Sequence, residues 1–447
     1  MFRTLRNAWN IPELRSRFFA TMGLFVLFRL GNHITIPGIN RVAIYAMKEQ
    51  GGGFMGLLNM FSGGGLLKIS IFSLGVIPYI NASIILNLLQ SVIPALERMV
   101  REEGMQGRQK IAMITKWLTL GLAALQSFSF AFILYPSILN RYGGFEGIEL
   151  YANPDSLLSK LFATFVLIAG SFLLVWLGEM MTEKGIGNGV SLIIFVGIIS
   201  RIIPGFQVVI ANVMGGGSAS WFGFGLYLVI FLVFIGVIIW AYEAERRVPV
   251  QHAKRIVGRK MYGGQTTYIP LRLIQSGILP IIFASAVIMF PQIIGGFIRN
   301  PNNWWIKYVV NPITTETGNP DTGGIIYNVI FFLLVVFFTY FYTQMQYDPE
   351  KLSSDLQKQG GFVPGVRPGE ATKKYFQGVL AKVTLPASIF LGAMAIVPNL
   401  LLVNVPTFSS IFIGGTGILI AIGVSLETVN QIESYLTMRN YEGFLGK

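Results

Sequence analysis

The side chains that most often carry out chemistry are scarce in this sequence. It contains no cysteine and only two histidines, His33 and His252, which are too few to form a zinc centre. It has no GxxxxGK[ST] phosphate-binding loop and neither the HExxH nor the GxSxG motif. The acids nearest to apolar segments, such as Glu179 and Glu427, stand at segment ends and form no pair inside one. We therefore expect no enzymatic activity, no cofactor and no metal.

The residues whose spacing does indicate a function are aliphatic and lie in a short internal repeat. The stretch GVIPYI (75–80) recurs as GILPII (277–282). Its aliphatic positions of interest are Val76, Ile80, Ile278 and Ile282. Taken singly, each is better explained as an ordinary core or lipid-facing residue. Together they are typical of a constriction that closes by dewetting and offers no ion-coordinating filter, which favours a pore for a polymer.

The segments that carry this repeat belong to an all-α, polytopic membrane protein. Of the 447 residues, 53% are hydrophobic and 12% are charged, whereas a soluble domain is about 25% charged. Ten apolar runs are long enough to cross a bilayer core of about 30 Å. They are predicted near residues 18–36, 72–93, 112–135, 157–179, 188–204, 222–242, 273–298, 325–345, 377–398 and 408–428. No small-residue cleavage site accompanies the first run, so we expect the first helix to be retained.

The distribution of basic residues predicts the topology. Ten spans place both termini on the same side of the membrane, and most of the 34 Lys and Arg residues fall on that side. By the positive-inside rule, both termini are predicted to be cytoplasmic. The net charge of +13 therefore belongs to one membrane face and does not indicate a free nucleic-acid-binding protein.

The repeat also predicts how the ten helices are organised. Its copies fall in the second helix of each set of five, and such interrupted helices are typical of inverted repeats with a transport path between them. We predict an N-terminal half (1–205) and a C-terminal half (206–447) related by pseudo-symmetry. Interrupted helices are equally typical of secondary transporters, so an ion-coupled carrier of a small solute is the alternative. Such carriers commonly keep an ionisable group near the membrane midplane, whereas the acids here stand at span ends.

Two cytoplasmic connections are longer than the others and carry many charges. The first, 245–272, is basic, and its Val, Tyr and Thr residues around a YGG turn predict a hairpin. The second, 348–376, is tipped by GFVPGVRPGE. Both are compatible with simple solvated loops. Ordered loops longer than about 12 residues are usually functional, however, so docking surfaces are the other interpretation.

Six motifs in this sequence resemble one known family. They are FSGG (61–64), GVIPYINASIILNLL (75–89), TEKGIGNGVSLIIF (182–195), ERRVPVQHAKR (245–255), ILPIIFASAVIMFP (278–291) and FVPGVRPGE (362–370). In this order they closely resemble the bacterial SecY family, the central subunit of the Sec protein-conducting channel, or translocon. The resemblance implies translocation of unfolded secretory polypeptides across the bacterial cytoplasmic membrane and insertion of membrane proteins into it.

The resemblance also assigns roles along the pore. A single helix over 61–93 would reach about 50 Å, which is too long for one span. The family implies that residues of about 62–72 form a plug half-helix and that the second helix begins after Gly75. The plug residues are then Phe61, Ser62, Gly63, Gly64, Gly65 and Lys68. The pore ring is Val76, Ile80, Val190, Ile194, Ile282 and Ile420, in which the two valines depart from the family's common isoleucine.

The family further implies a lateral gate between the second and third helices on one side and the seventh and eighth on the other. The candidates for its lining are Asn81, Ile84, Asn87, Gln126 and Phe290. Buried amides there are expected to bond across the closed gate, at roughly 1 kcal/mol each, so that an apolar signal helix can compete. Satisfaction within its own helix stays open for Asn87.

The cytoplasmic loops are implied to be the docking face. Arg367 matches the family's arginine that engages the SecA motor, and the basic hairpin residues are expected to meet SecA or ribosomal RNA. These hairpin residues are Lys254, Arg255, Arg259 and Lys260. The family also implies the small membrane subunits SecE and SecG, the ribosome, signal peptides and nascent polypeptides as partners, and energy that a partner motor supplies.

Overall fold

The fold is that of a computed structural model. It describes residues 9, 11–40, 58–136, 151, 156–215, 221–252, 255–257, 260–262, 266–296, 298, 303–314, 323–403 and 414–445. All structural statements below refer to these residues.

The described chain is mostly helical. Its α-helices are α1 (Pro12–Gly31), α2 (Ile77–Val92), α3 (Pro94–Arg101), α4 (Gly104–Ser129), α5 (Leu157–Lys184), α6 (Gly189–Ile199), α7 (Ile202–Met214), α8 (Trp221–Glu243), α9 (Leu279–Gly296), α10 (Asn311–Thr314), α11 (Gly323–Gln346), α12 (Pro349–Lys358), α13 (Glu370–Val403) and α14 (Gly414–Leu445). Two π-helical turns, Phe130–Leu134 and Ile306–Val310, extend α4 and precede α10. Each of the ten predicted spans falls on a helix in the described residues.

Length and composition identify the helices that could cross a membrane. Within the described residues, seven helices are long and apolar enough to cross a membrane, and eight if the bent pair α2 and α3 counts as one span. The apolar part of α9 is shorter, at Leu279–Pro291. The first predicted span, α1, carries Arg17 in its N-terminal half and Arg29 in its last turn. The chain is therefore a polytopic all-α membrane protein.

The fifth predicted span is longer than the sequence indicated. It was expected to end at residue 204, but α6 is followed after a short break by α7, which continues to Met214. Pro204 stands at that predicted end, yet proline is tolerated in the first turn of a helix, where its missing N–H has no intrahelical acceptor. The predicted boundary between the halves at 205/206 consequently falls inside α7, and the first five spans end at Met214.

The helices pack within two groups and meet along a common core. In the first group α2 packs against α4, α4 and α1 against α5, and α5 against α6; in the second α9 packs against α11, α11 against α13, and α13 and α8 against α14. The two groups meet where α2 and α4 contact α9 and where α6 contacts α14. One large cluster of buried apolar side chains runs through both groups.

The two long loops fold into one small unit outside the helices. Strands β1 (Glu245–His252), β4 (Thr266–Arg272) and β5 (Gly361–Phe362) form an antiparallel sheet in the order β4-β1-β5, and β2 (Arg255–Val257) pairs with β3 (Lys260–Tyr262). The predicted hairpin is present, with Glu245 opposite Arg272. Tyr262 of the predicted YGG turn lies in β3, opposite Arg255, whereas Gly263 and Gly264 lie outside the described residues. A separate apolar core joins the sheet to α12 and α13 through Val248, Val250, Leu271, Leu356, Val363, Phe376 and Leu380.

Candidate functional site

The six predicted ring residues lie in the core where the two helix groups meet. Val76 directly precedes α2, and Ile80 is one turn into it; Val190 and Ile194 are one turn apart on α6. Ile282 lies on α9 and Ile420 on α14. Five of the six are at most 5% exposed, Val190 is half-buried, and all belong to or pack against the same apolar cluster. The arrangement is apolar and uncharged, as a constriction that closes by dewetting requires.

The two copies of the repeat adopt the same backbone turn. Gly75 has φ +59° and Gly277 has φ +60°, a left-handed conformation that favours glycine. In each copy a helix begins two residues later, with the proline as its second residue. The equivalent bonds Ile80 N–H to Val76 C=O and Ile282 N–H to Ile278 C=O are 3.0 and 3.2 Å. The same local geometry therefore delivers an aliphatic side chain to the core from each half.

The predicted plug segment is packed as expected but is not helical. The helical residues end at Phe61, and residues 62–76 form a series of turns with a single β-bridge at Ser70. Left-handed φ values at Gly63, Gly64 and Ile69 are incompatible with a continuous right-handed helix. Residues 62–72 therefore do not form the predicted half-helix; the helical residues described directly before them are 58–61. The second helix begins after Gly75, as predicted.

Side chains of α1 and its following loop hold the plug segment. Arg29 donates a hydrogen bond from Nη1 to the carbonyl of Gly63 at 3.1 Å, and Asn32 reaches the same carbonyl at 3.4 Å. Lys68 lies 2.9 Å from the Nε2 atom of His33. Arg29, the deepest charge on this helix, therefore has a structural role in fixing the plug segment.

Backbone bonds close the segment against the same loop. Ile36 N–H donates to Ile69 C=O and Ile71 N–H to Ile34 C=O, both at 3.0 Å. Ser62, Ser73 and Gly65 of the segment are buried. The packed segment lies directly beside Gly75 and Val76 and thus beside the predicted ring.

One side-chain hydrogen bond crosses the predicted lateral gate. Asn87 of α2 donates from Nδ2 to the hydroxyl of Tyr342 on α11 at 2.9 Å. The Tyr342 ring also packs edge-on against Phe283 of α9, with 4.9 Å between centroids, and Phe283 packs against Phe338 of α11. We call the line of contact between α2 and α4 on one side and α9 and α11 on the other the gate seam.

The other gate candidates lie on the same helices but make different contacts. Asn81 and Ile84 of α2 and Gln126 of α4 are buried, at 1%, 2% and 3% exposure, and Phe290 of α9 is half-buried. The Oδ1 atom of Asn81 has no hydrogen-bond partner within the described residues. Of the candidates, Asn87 alone makes a described hydrogen bond across the seam.

Comparison with known proteins decides the family. The family model described as SecY matches residues 70–429, well over half of the chain. The chain belongs to the SecY family. It is 38% identical to the protein translocase subunit SecY of Streptomyces scabiei and 40% identical to that of Mycobacterium bovis, and both alignments cover all of this chain and all of the relative.

Solved structures agree with the SecY family fold. A protein-conducting channel superposes with a TM-score of 0.65 at 18% identity, covering 94% of this chain and 92% of the other. Sec61 from a canine ribosome-channel complex superposes with a TM-score of 0.61 at 16% identity, over 94% and 92% of the two chains. At such low identity these matches carry the fold alone. Together with the family relatives, they support the ten-helix interpretation of the spans.

In this SecY family member, Arg367 belongs to the described part of the predicted docking face. Its side chain is exposed on the loop between β5 and α13. Arg255 and Lys260 lie on the β2–β3 hairpin, whereas Lys254 and Arg259 lie outside the described residues. The sheet joins the hairpin to the Arg367 loop, since Gln251 pairs with Phe362.

Sequence reasoning missed the gate partner and the supports of the Arg367 loop. Tyr342 lies in an apolar, aromatic helix, and nothing in that pattern distinguishes it from its neighbour Tyr340. Thr372 and Ser353 donate hydrogen bonds to the carbonyls of Arg367 and Gly369, but isolated hydroxyl residues in helices carry no such signal. The Asn87–Tyr342 contact joins segments 255 residues apart in sequence, whereas the two hydroxyls bond carbonyls 5 and 16 residues away, through a loop conformation that the residue types alone do not predict.

Proposed function

We infer that this chain is the channel subunit of a protein translocase, through which unfolded polypeptides cross a membrane and from which membrane helices leave sideways. The observation that carries this inference is the full-length match to translocase SecY subunits. The geometry supports it, because an uncharged aliphatic constriction lies between the two helix groups. In each group, an equivalent glycine turn precedes a helix that supplies side chains to this constriction. Relatives of this family are channel subunits and not enzymes.

The parts of the channel then have separate tasks. We propose that the six ring residues seal the resting pore, that the plug segment blocks one mouth, and that the gate seam opens for signal sequences. Aliphatic side chains suit the first task, since they repel water and ions at rest and deform around a bulky chain. The Asn87–Tyr342 hydrogen bond at the seam suits the third, because about 1 kcal/mol is small beside the burial of an apolar helix.

The orientation and division of the chain follow the same proposal. Both termini are proposed to lie in the cytoplasm of a bacterial cell, with the chain in its cytoplasmic membrane, because most Lys and Arg residues fall on that side. The N-terminal half then comprises the spans up to α7 and the C-terminal half those from α8 onwards. The β-sheet unit and the Arg367 loop lie on the cytoplasmic face.

We propose that this face binds the partners that supply energy. Arg367 is proposed to engage SecA, and Lys254, Arg255, Arg259 and Lys260 to meet SecA or ribosomal RNA, a contact that should weaken steeply with salt. Ribosome-bound structures of canine Sec61 and yeast Ssh1 share the fold and support a ribosome partner. SecE and SecG are proposed as the small membrane subunits, and signal peptides and nascent polypeptides as the substrates.

The alternative, an ion-coupled transporter of a small solute, gains no support from these relatives. Reconstitution into vesicles with SecA, ATP and a secretory precursor separates the two functions. The channel requires translocation that depends on SecA and on an intact signal peptide. Saturable uptake of a small solute in fixed stoichiometry with an ion, without precursor translocation, would contradict the proposal.

A further inference from the structure

The backbone of the loop that carries Arg367, here called the Arg367 loop, is restricted at several residues. It connects β5 to α13, and Gly365 and Gly369 hold left-handed φ values of +80° and +97°. Pro368 restricts the backbone directly after Arg367. Gly369 is the residue before α13, and its carbonyl accepts the first helical hydrogen bond, from Lys373 N–H at 3.1 Å. The loop therefore leads directly into a long helix of the membrane domain.

Two buried hydroxyls support the carbonyls on either side of Pro368. Thr372 Oγ1 donates to the carbonyl of Arg367 at 2.9 Å, and Ser353 Oγ, from α12, donates to the carbonyl of Gly369 at 2.8 Å. Thr372 is 3% exposed and Ser353 is 5% exposed. One support thus comes from the helix after the loop and the other from the helix before it.

The positions of these hydroxyls have a simple consequence for Arg367. The carbonyls that they hold are main-chain groups, so the direction of the Arg367 backbone is fixed while its guanidinium stays exposed. A side chain presented by a fixed backbone loses less conformational entropy on binding than one on a loose loop.

We propose that Thr372 and Ser353 are positioning residues for Arg367, which hold its loop in the conformation that the SecA motor binds. This inference rests on the proposed docking role of Arg367. Loss of one buried hydroxyl removes one net hydrogen bond, so the motor concentration for half-maximal stimulation should rise about fivefold. The maximal rate should stay unchanged, because the groups do not touch the transported chain.

The test measures SecA ATPase activity against SecA concentration, with the full-length channel and its membrane partners in vesicles. Thr372→Val and Ser353→Ala should each raise the half-maximal concentration, and Thr372→Ser, which keeps the hydroxyl, should restore it. Thr437→Val is the control for the substitution itself, since Thr437 is exposed and its Oγ1 donates to Glu433 C=O within α14. It should behave as the unaltered protein.

A double substitution distinguishes positioning from general stability. Arg367→Ala should weaken SecA stimulation, and Thr372→Val added to Arg367→Ala should have no further effect. A full additional effect in that background, or an unchanged Thr372→Val single variant, would overturn the positioning role. An Arg367→Ala variant that is stimulated normally would overturn the docking role of Arg367 and the positioning role with it, while leaving signal-dependent translocation as the test of the channel function.

Discussion

At the scale of single residues, the hydroxyl of Tyr342 is the part of the gate seam with the most specific consequence. It accepts the one described side-chain hydrogen bond between α2 and α11. Its ring contributes separately, by packing against Phe283. The hydroxyl and the ring are therefore separable by substitution.

We predict that Tyr342→Phe lowers the barrier to gate opening and leaves the aromatic packing in place. The loss of about 1 kcal/mol should increase translocation of precursors with weakly hydrophobic signal sequences about fivefold, with little change for strong ones. The measurement is the translocated fraction of a precursor series that differs only in signal hydrophobicity.

The control for this prediction lies on the same helix. Tyr340→Phe removes the same atom two residues away, on a different face of α11, and should not change the series. In combination with Asn87→Leu, Tyr342→Phe should add nothing, because both remove the same bond. Additive effects would show that the two side chains act independently.

At the scale of elements, the plug segment is seated on glycines of the neighbouring helices. A Cβ atom at Gly170 of α5 would overlap the carbonyl of Ile71, and one at Gly197 of α6 would lie 2.9 Å from the Cα atom of Gly63. Main-chain atoms cannot move aside as the end of a flexible side chain can. The plug segment can therefore pack in this position only because residues 170 and 197 have no Cβ atom.

We predict that Gly170→Ala and Gly197→Ala displace the plug segment and raise the ion conductance of the resting channel. Overpacking costs about 1–3 kcal/mol, so conductance should rise about fivefold or more, approaching that of a variant lacking residues 62–72. Planar-bilayer recordings provide the measurement. Gly225→Ala is the control, because no atom lies within 4 Å of the added Cβ. Equal conductance in all variants would contradict the prediction that these glycines hold the plug segment in place.

The same segment marks the limit of sequence reasoning for elements. The start of α2 after Gly75 was predictable from the family resemblance, and Pro78 in the first turn fits that position. The conformation of residues 62–76 was not, because their turns are held by α1 and its loop through Arg29, Asn32 and backbone bonds. The fifth span was predicted to end at residue 204, whereas α7 continues to Met214. Proline interrupts a helix in its interior, but Pro204 lies in the first turn of α7, where proline is tolerated.

At the scale of the whole molecule, two loops that are about 75 residues apart in sequence form one unit outside the helices. Sequence predicted each loop and its charge, but not their union through β1, β5 and a shared core. Phe376 is fully buried in that core. Docking at the hairpin and docking at Arg367 are therefore expected to depend on a common scaffold.

We predict that Phe376→Ala weakens SecA stimulation and ribosome binding together. Removing a buried phenylalanine costs about 3–5 kcal/mol, which is enough to loosen a unit of this size. Arg367→Ala should affect SecA stimulation with little change in ribosome binding. Both quantities can be measured on the same vesicles, and a Phe376→Ala variant that loses only one of them would contradict a common scaffold.

The proposed function requires that a polypeptide pass through the ring of aliphatic side chains. Because the chain contains no cysteine, a single cysteine can be introduced at Ile282 or, as a second ring position, at Ile80. A single cysteine at the exposed Val229 of α8 is the control. A stalled secretory chain with one cysteine should form a disulfide crosslink to positions 282 and 80, and the adduct should follow that cysteine as it is moved along the substrate. Crosslinks at neither ring position, or equally strong ones at 229, would contradict the account.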